Sequence, residues 1–128
     1  MRFAAYCALP IILLGAQPAV SQAPTVINVQ LANFSFIPKT IVLDHGRSYV
    51  LRLANIADGG HDFTAPDFFA ASRIAVEDRG LTAEGEVEIP PGQVREIHLT
   101  APAAGSYNLK CSHSFHKMLG MSGKILIR

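Results

Sequence analysis

Tyr107-Asn-Leu-Lys-Cys111-Ser-His-Ser-Phe-His116-Lys-Met-Leu-Gly-Met121 is the stretch on which the reading of the whole chain turns. Tyr107, Leu109 and Cys111 alternate with Asn108 and Lys110, so the stretch opens as a strand with the cysteine on its apolar face. His116 lies five residues beyond Cys111, and Met121 five beyond His116. Lys124 to Arg128 then reads as a last strand. A single strand-to-strand loop therefore carries a thiol, an imidazole and a thioether. One further imidazole would complete a four-donor set. His61, after Gly59-Gly60 at the end of the Tyr49–Ala54 strand, is the natural candidate.

These donor types point to copper. Two imidazoles and a thiolate in a trigonal arrangement, with a long axial methionine, make a type 1 (blue) copper site. The sulfur donors are soft and suit Cu(I), while imidazoles serve both oxidation states. A site between the two preferences rearranges little when one electron passes. A loop tied at both ends to a rigid sandwich is what holds such a site in place.

The rest of the chain supplies the sandwich. Apolar and polar residues alternate from Ile27 to Asn33, Phe34 and Phe36 flank an exposed Ser35, and Pro38 ends that piece. Thr40 to Leu43 is an apolar run closed by Asp44-His45-Gly46. Tyr49, Leu51 and Leu53 share a face opposite Arg52. Val87 and Ile89 alternate with Glu86 and Glu88 before the Pro90-Pro91-Gly92 turn, and Ile97 and Leu99 alternate with Glu96 and His98. Residues 65–84 lack this rhythm. They read as a long connection, with a short helix over Asp67–Ser72. Many short strands separated by Gly/Pro turns imply an all-β sandwich or barrel.

The N-terminus reads differently. Arg2 is the single charge before a short apolar run from Phe3 to Ala16, and Gln17-Pro18 breaks it. This is the layout of a secretory signal peptide, with cleavage expected after Ser21 or Ala23, so residues 1–23 form the leader and 24–128 the domain. The run is shorter than the roughly 20 apolar residues of a membrane span. Export places the mature protein in the periplasm, without stable membrane association. Of the 11 basic and 10 acidic residues, the leader removes one base, which leaves the domain near neutral. That balance gives no footprint for nucleic acid or an anionic membrane. The leader also removes Cys7, so Cys111 is the only thiol of the mature chain and has no internal disulfide partner.

At this point the sequence resembles the cupredoxins, the plastocyanin/azurin superfamily of type 1 copper proteins. Phe34-Ser-Phe36-Ile-Pro38 is similar to the family's early aromatic-proline strand, and Gly46 to Ala54 to the strand leading to its first histidine. Ala104-Gly105-Ser-Tyr107-Asn-Leu-Lys-Cys111 is similar to the strand feeding its cysteine. Gly120-Met121-Ser-Gly123-Lys-Ile is similar to its axial methionine and final strand. The resemblance implies a cupredoxin-like Greek-key β-sandwich holding one copper ion through His61, Cys111, His116 and Met121. It also implies a monomeric one-electron carrier rather than an enzyme, alternating between Cu(I) and Cu(II). Its partner would be a redox protein such as a c-type cytochrome or a periplasmic oxidase or reductase. In plastocyanin-like members, the residue after the first histidine bonds to the hydroxyl residue after the cysteine. Asp62 and Ser112 occupy those places, with aspartate where the family usually has asparagine.

Other readings stay open on sequence. His113 is close enough to Cys111 to compete with His116 for the metal, although His116 fits the spacing better. Met118 belongs either to the site or to an apolar rim with Phe115 and Leu119. Cys111 taken alone could also be a buried core residue, a reading that the His and Met following at these spacings count against. His45 and His98 read as a turn and a surface histidine. A copper storage or delivery protein would have His113, Met118 and Met121 as extra soft or imidazole sites, and a zinc site would use the same Cys and His residues. A Cys/His hydrolase is disfavoured, because no third orienting residue accompanies the pair.

Overall fold

A computed structural model describes residues 12, 14–19, 21–113 and 119–128. Among these described residues, ten strands form two five-stranded sheets. In chain order they are β1 (Thr25–Ala32), β2 (Ser35–Ile37), β3 (Thr40–Leu43), β4 (Ser48–Asn55), β5 (His61–Thr64), β6 (Arg73–Ile74), β7 (Glu86–Ile89), β8 (Val94–Thr100), β9 (Gly105–Lys110) and β10 (Ser122–Ile127). One sheet runs β2-β1-β4-β8-β6 and the other β3-β10-β9-β5-β7. Pairing is antiparallel except for β1 with β4 and β3 with β10. The chain crosses between sheets at most connections, so the two sheets are interwoven along the sequence. The all-β sandwich expected from the turn-punctuated alternation is the fold observed.

Period-two patterning explains which residues meet between the sheets. Val29 and Leu31 of β1, Leu51 and Leu53 of β4, and Ile97 and Leu99 of β8 face Ile41 and Leu43, Phe63, Leu109, and Ile125 and Ile127. Phe63 sits at the centre, with its ring in edge contact with Phe36 and tilted against Phe69. Phe34 departs from expectation. It lies in the β1–β2 turn at a φ of 62° and is partly exposed, while Phe36 alone enters the core.

The 65–84 segment is more ordered than its weak periodicity suggests. It holds helix α1 (Pro66–Ala71), strand β6, a 3₁₀ turn (Val76–Asp78) and helix α2 (Arg79–Thr82). Pro66 opens α1, where its missing N–H costs nothing. Phe68 and Phe69 anchor that helix in the core. The segment closes on itself at Gly85, whose carbonyl accepts the Ala65 N–H at 3.0 Å. Gly85 has a φ of +75°, and a Cβ there would lie 2.7 Å from that of Pro66, so only glycine fits. Asp78 ties the segment to β8, accepting the His98 backbone N–H at 2.7 Å and contacting its Nδ1 at 2.9 Å. Among the described residues, no helix is long and apolar enough to cross a membrane.

Candidate metal centre

The ends of β4, β7 and β9 and the starts of β5 and β10 meet at one end of the sandwich. Asn55, the last residue of β4, builds the approach. Its Nδ2 donates to the carbonyls of Gly59 and Ile89, both at 2.8 Å, and its Oδ1 accepts the Ala57 N–H at 2.9 Å. The last of these is an asparagine turn onto the backbone two residues ahead. The chain is thereby bent through Gly59-Gly60 into β5. His61 follows the end of β4, as the sequence reading has it, and opens a strand of its own in the opposite sheet.

All four residues of β5 are buried, on both faces. His61 is 0% exposed, and its Nδ1 lies 3.9 Å from Cys111 Sγ. Cys111 is likewise 0% exposed and is present as a thiol. Its N–H donates to the Met121 carbonyl at 3.1 Å, continuing the β9–β10 ladder one step past the last paired strand residues. Met121 is 1% exposed. Three of the four expected donor residues, His61, Cys111 and Met121, therefore meet in one buried corner. His116 lies outside the described residues, as do Phe115 and Met118. Of the expected apolar rim, Leu119 is exposed.

The corner is tied by an aspartate. Asp62 Oδ1 accepts the Ser112 N–H at 2.8 Å and the Thr64 hydroxyl at 2.7 Å, while the Ser112 hydroxyl donates to Oδ2. The bond between the residue after His61 and the residue after Cys111 is thus present, with the carboxylate doubling it. Burial pushes the Cys111 thiol above its ordinary pKa, and the nearby charges of Asp62 and Glu88 add to that. Hydrogen bonds from the Asp62 and His113 backbone act in the opposite direction. A metal taking this sulfur must displace its proton, and those same backbone groups then stabilise the anionic thiolate.

His113 turns toward carboxylates. Its Nε2 lies 3.1 Å from Glu88 Oε2 and 3.7 Å from Asp62 Oδ2. His45 and His98 lie away from this corner. The former contacts the Pro102 carbonyl through Nδ1, and the latter Asp78. Sequence reading missed Asn55 and Glu88. The asparagine signal was present, since Asn55 precedes Gly59-Gly60 by the right distance for a turn. Glu88 carried none beyond its outward place in an alternating strand.

Residues 5–127 match the family model of the cupredoxin-like domain. The chain belongs to that family. Solved structures agree on the fold. Dithionite-reduced auracyanin from the photosynthetic bacterium Roseiflexus castenholzii superposes with a TM-score of 0.60 at 19% identity, over 84% of this chain and 99% of that one. Auracyanin A, described as a "blue" copper protein of Chloroflexus aurantiacus, gives 0.60 at 18% identity, over 83% of this chain and all of that one. A comparison with curated proteins finds no match. The cupredoxin resemblance seen in the motifs is therefore confirmed at the level of the family. The donor chemistry of the corner also fits copper: a buried imidazole, thiol and thioether are the soft and borderline donors of such a site.

Proposed function

We propose that this cupredoxin binds one copper ion through His61, Cys111, His116 and Met121 and carries single electrons in the periplasm. The observation that carries the proposal is the 3.9 Å approach of His61 Nδ1 to Cys111 Sγ in a fully buried corner, with Met121 beside it. When bound, copper supplies the one-electron couple. The chain's own part is to hold the donors and exclude water. Asp62 locks the two donor-bearing segments together, and the backbone N–H groups directed at Cys111 stabilise the thiolate. His116 is favoured over His113 as the second imidazole, because Nε2 of His113 already faces Glu88. The leader of residues 1–23 would deliver the chain to the periplasm. A monomer meeting a c-type cytochrome, oxidase or reductase there is the use such a centre supports.

The test is to add Cu(II) to purified mature protein and record visible and EPR spectra. An intense thiolate-to-copper charge-transfer band is expected, and it should vanish in Cys111→Ser and His61→Ala. A colourless protein with ordinary, weakly held Cu(II) would overturn the assignment. A reversible potential separates electron transfer from copper delivery, in which Cu(I) would pass readily to an acceptor without useful cycling.

A further inference from the structure

Just outside the copper corner, the β5–β7 ladder creates an electrostatic problem. Asp62 stands directly opposite Glu88, and Thr64 opposite Glu86. Like charges directly opposite in an antiparallel pair are destabilising. Lys110 lies across from Thr64 on β9, yet the ion pairs of the described residues include none from it. The group brought in over these carboxylates is His113. Its Nε2 is 3.1 and 3.2 Å from the two Glu88 oxygens and 3.7 Å from Asp62 Oδ2.

One donor atom from each of Asp62, Glu88 and His113 falls within 4.8 Å of the others. Donors held 2.0–2.2 Å from a tetrahedral zinc ion are about 3.3–3.6 Å apart, so this cluster is near closure without backbone movement. Two carboxylates cancel the charge of a divalent cation. The imidazole favours zinc over calcium or magnesium, which take oxygen donors. Thr64 and the Ser112 N–H hold Asp62 through Oδ1, and Oδ2, which accepts the Ser112 hydroxyl on one lone pair, lies 3.7 Å from His113 Nε2 with its other lone pair available to a metal. Gly60 keeps the space open, since a Cβ there would lie 3.2 Å from Glu88 Oε1 and 3.6 Å from His113 Cε1.

We infer that Asp62, Glu88 and His113 form a second metal site that takes zinc from solution, separate from the His61–Cys111–Met121 corner. Glu88 and His113 are partly exposed, with side chains 53% and 36% accessible, so an ion can enter and keep a water as its fourth ligand. The site shares a backbone with the copper donors but none of their side chains. Zinc bound here adds positive charge next to the copper, which favours Cu(I).

The experiment is a zinc titration of the copper-loaded protein, followed by calorimetry and by zinc analysis after dialysis. One zinc per chain is expected, with copper and its charge-transfer band retained. Glu88→Gln and His113→Gln should each weaken zinc binding at least tenfold. Zinc should raise the copper potential of the unsubstituted protein and leave that of Glu88→Gln unmoved. Zinc binding as tight in either variant as in the unsubstituted protein, no zinc retained, or zinc taken only by displacing copper would each overturn the inference. The same titration on metal-free Cys111→Ser keeps this test distinct from the copper assignment. There the outer site should still load and still depend on Glu88, even if the protein never turns blue.

Discussion

The corner around Cys111 and the connection from Ala65 to Gly85 both depend on buried residues, but they are held by different means. The corner is polar where it is buried. His61, Asp62 and Thr64 are all removed from solvent, and Asp62 alone receives three hydrogen bonds. The connection is held by apolar anchors, chiefly Phe68 and Phe69, with one polar tie at Asp78. Apolar burial gives energy without direction, whereas hydrogen bonds give direction at small net energy. A corner that must hold donor atoms to within fractions of an ångström uses the second. A connection that only has to close the sandwich uses the first.

Substitutions can break that contrast. Phe68→Ala should destabilise most, by about 3–5 kcal/mol, because the ring is buried against Phe69 and Tyr107. Its signature is a lower denaturation midpoint with an unchanged copper spectrum. A shifted charge-transfer band would mean that the connection also shapes the corner.

Asn55→Ala comes next. It removes two donated hydrogen bonds and one acceptor, including the side-chain partner of the buried Ile89 carbonyl. A loss of about 2–4 kcal/mol is expected. Unlike Phe68→Ala, it should also weaken copper binding, since the Gly59-Gly60 approach to His61 loses its hold. Retained copper affinity at lowered stability would show that β5 positions His61 unaided.

Asp78→Asn should cost less, about 1–2 kcal/mol. The amide oxygen still accepts the His98 N–H, and only the contact with the imidazole is impaired. Urea unfolding of the metal-free protein measures it, and the copper spectrum should be indifferent.

The same contrast accounts for what the residue order made legible. Strands β8, β9 and β10 bury alternate residues, so period-two patterning located them, and it turned Cys111 inward. Strand β5 is buried on both faces and has no alternation to detect, so His61 was found from the glycines before it and from family likeness. The connection was illegible for the opposite reason. Its elements are two to six residues long, too short to show a period, and their order comes from tertiary contacts such as that between Gly85 and Pro66. Glu88 was invisible because its role depends on which residue lies across the ladder, and register is not written in either strand alone.

The smallest predicted change isolates charge from geometry in the corner. In Asp62→Asn the Oδ1 acceptor for Ser112 N–H and the Thr64 hydroxyl is kept, and the new Nδ2 can donate to the Ser112 hydroxyl. The tie therefore survives while the negative charge goes. Asp62 is bonded to the N–H next to Cys111, so its charge stands roughly 8 Å from a metal on that sulfur, where an effective dielectric near 20 gives about 2 kcal/mol, lowered further by counter-ions. For a one-electron couple the screened effect corresponds to roughly 40–90 mV. The carboxylate stabilises Cu(II) over Cu(I), so removing it should raise the reduction potential by that amount in zinc-free buffer. Asp62→Ala removes charge and tie together, and should also change the EPR parameters as the donor segments separate. A potential that does not rise in Asp62→Asn would assign the aspartate a purely mechanical part, that of holding Ser112, and through it Cys111, against β5.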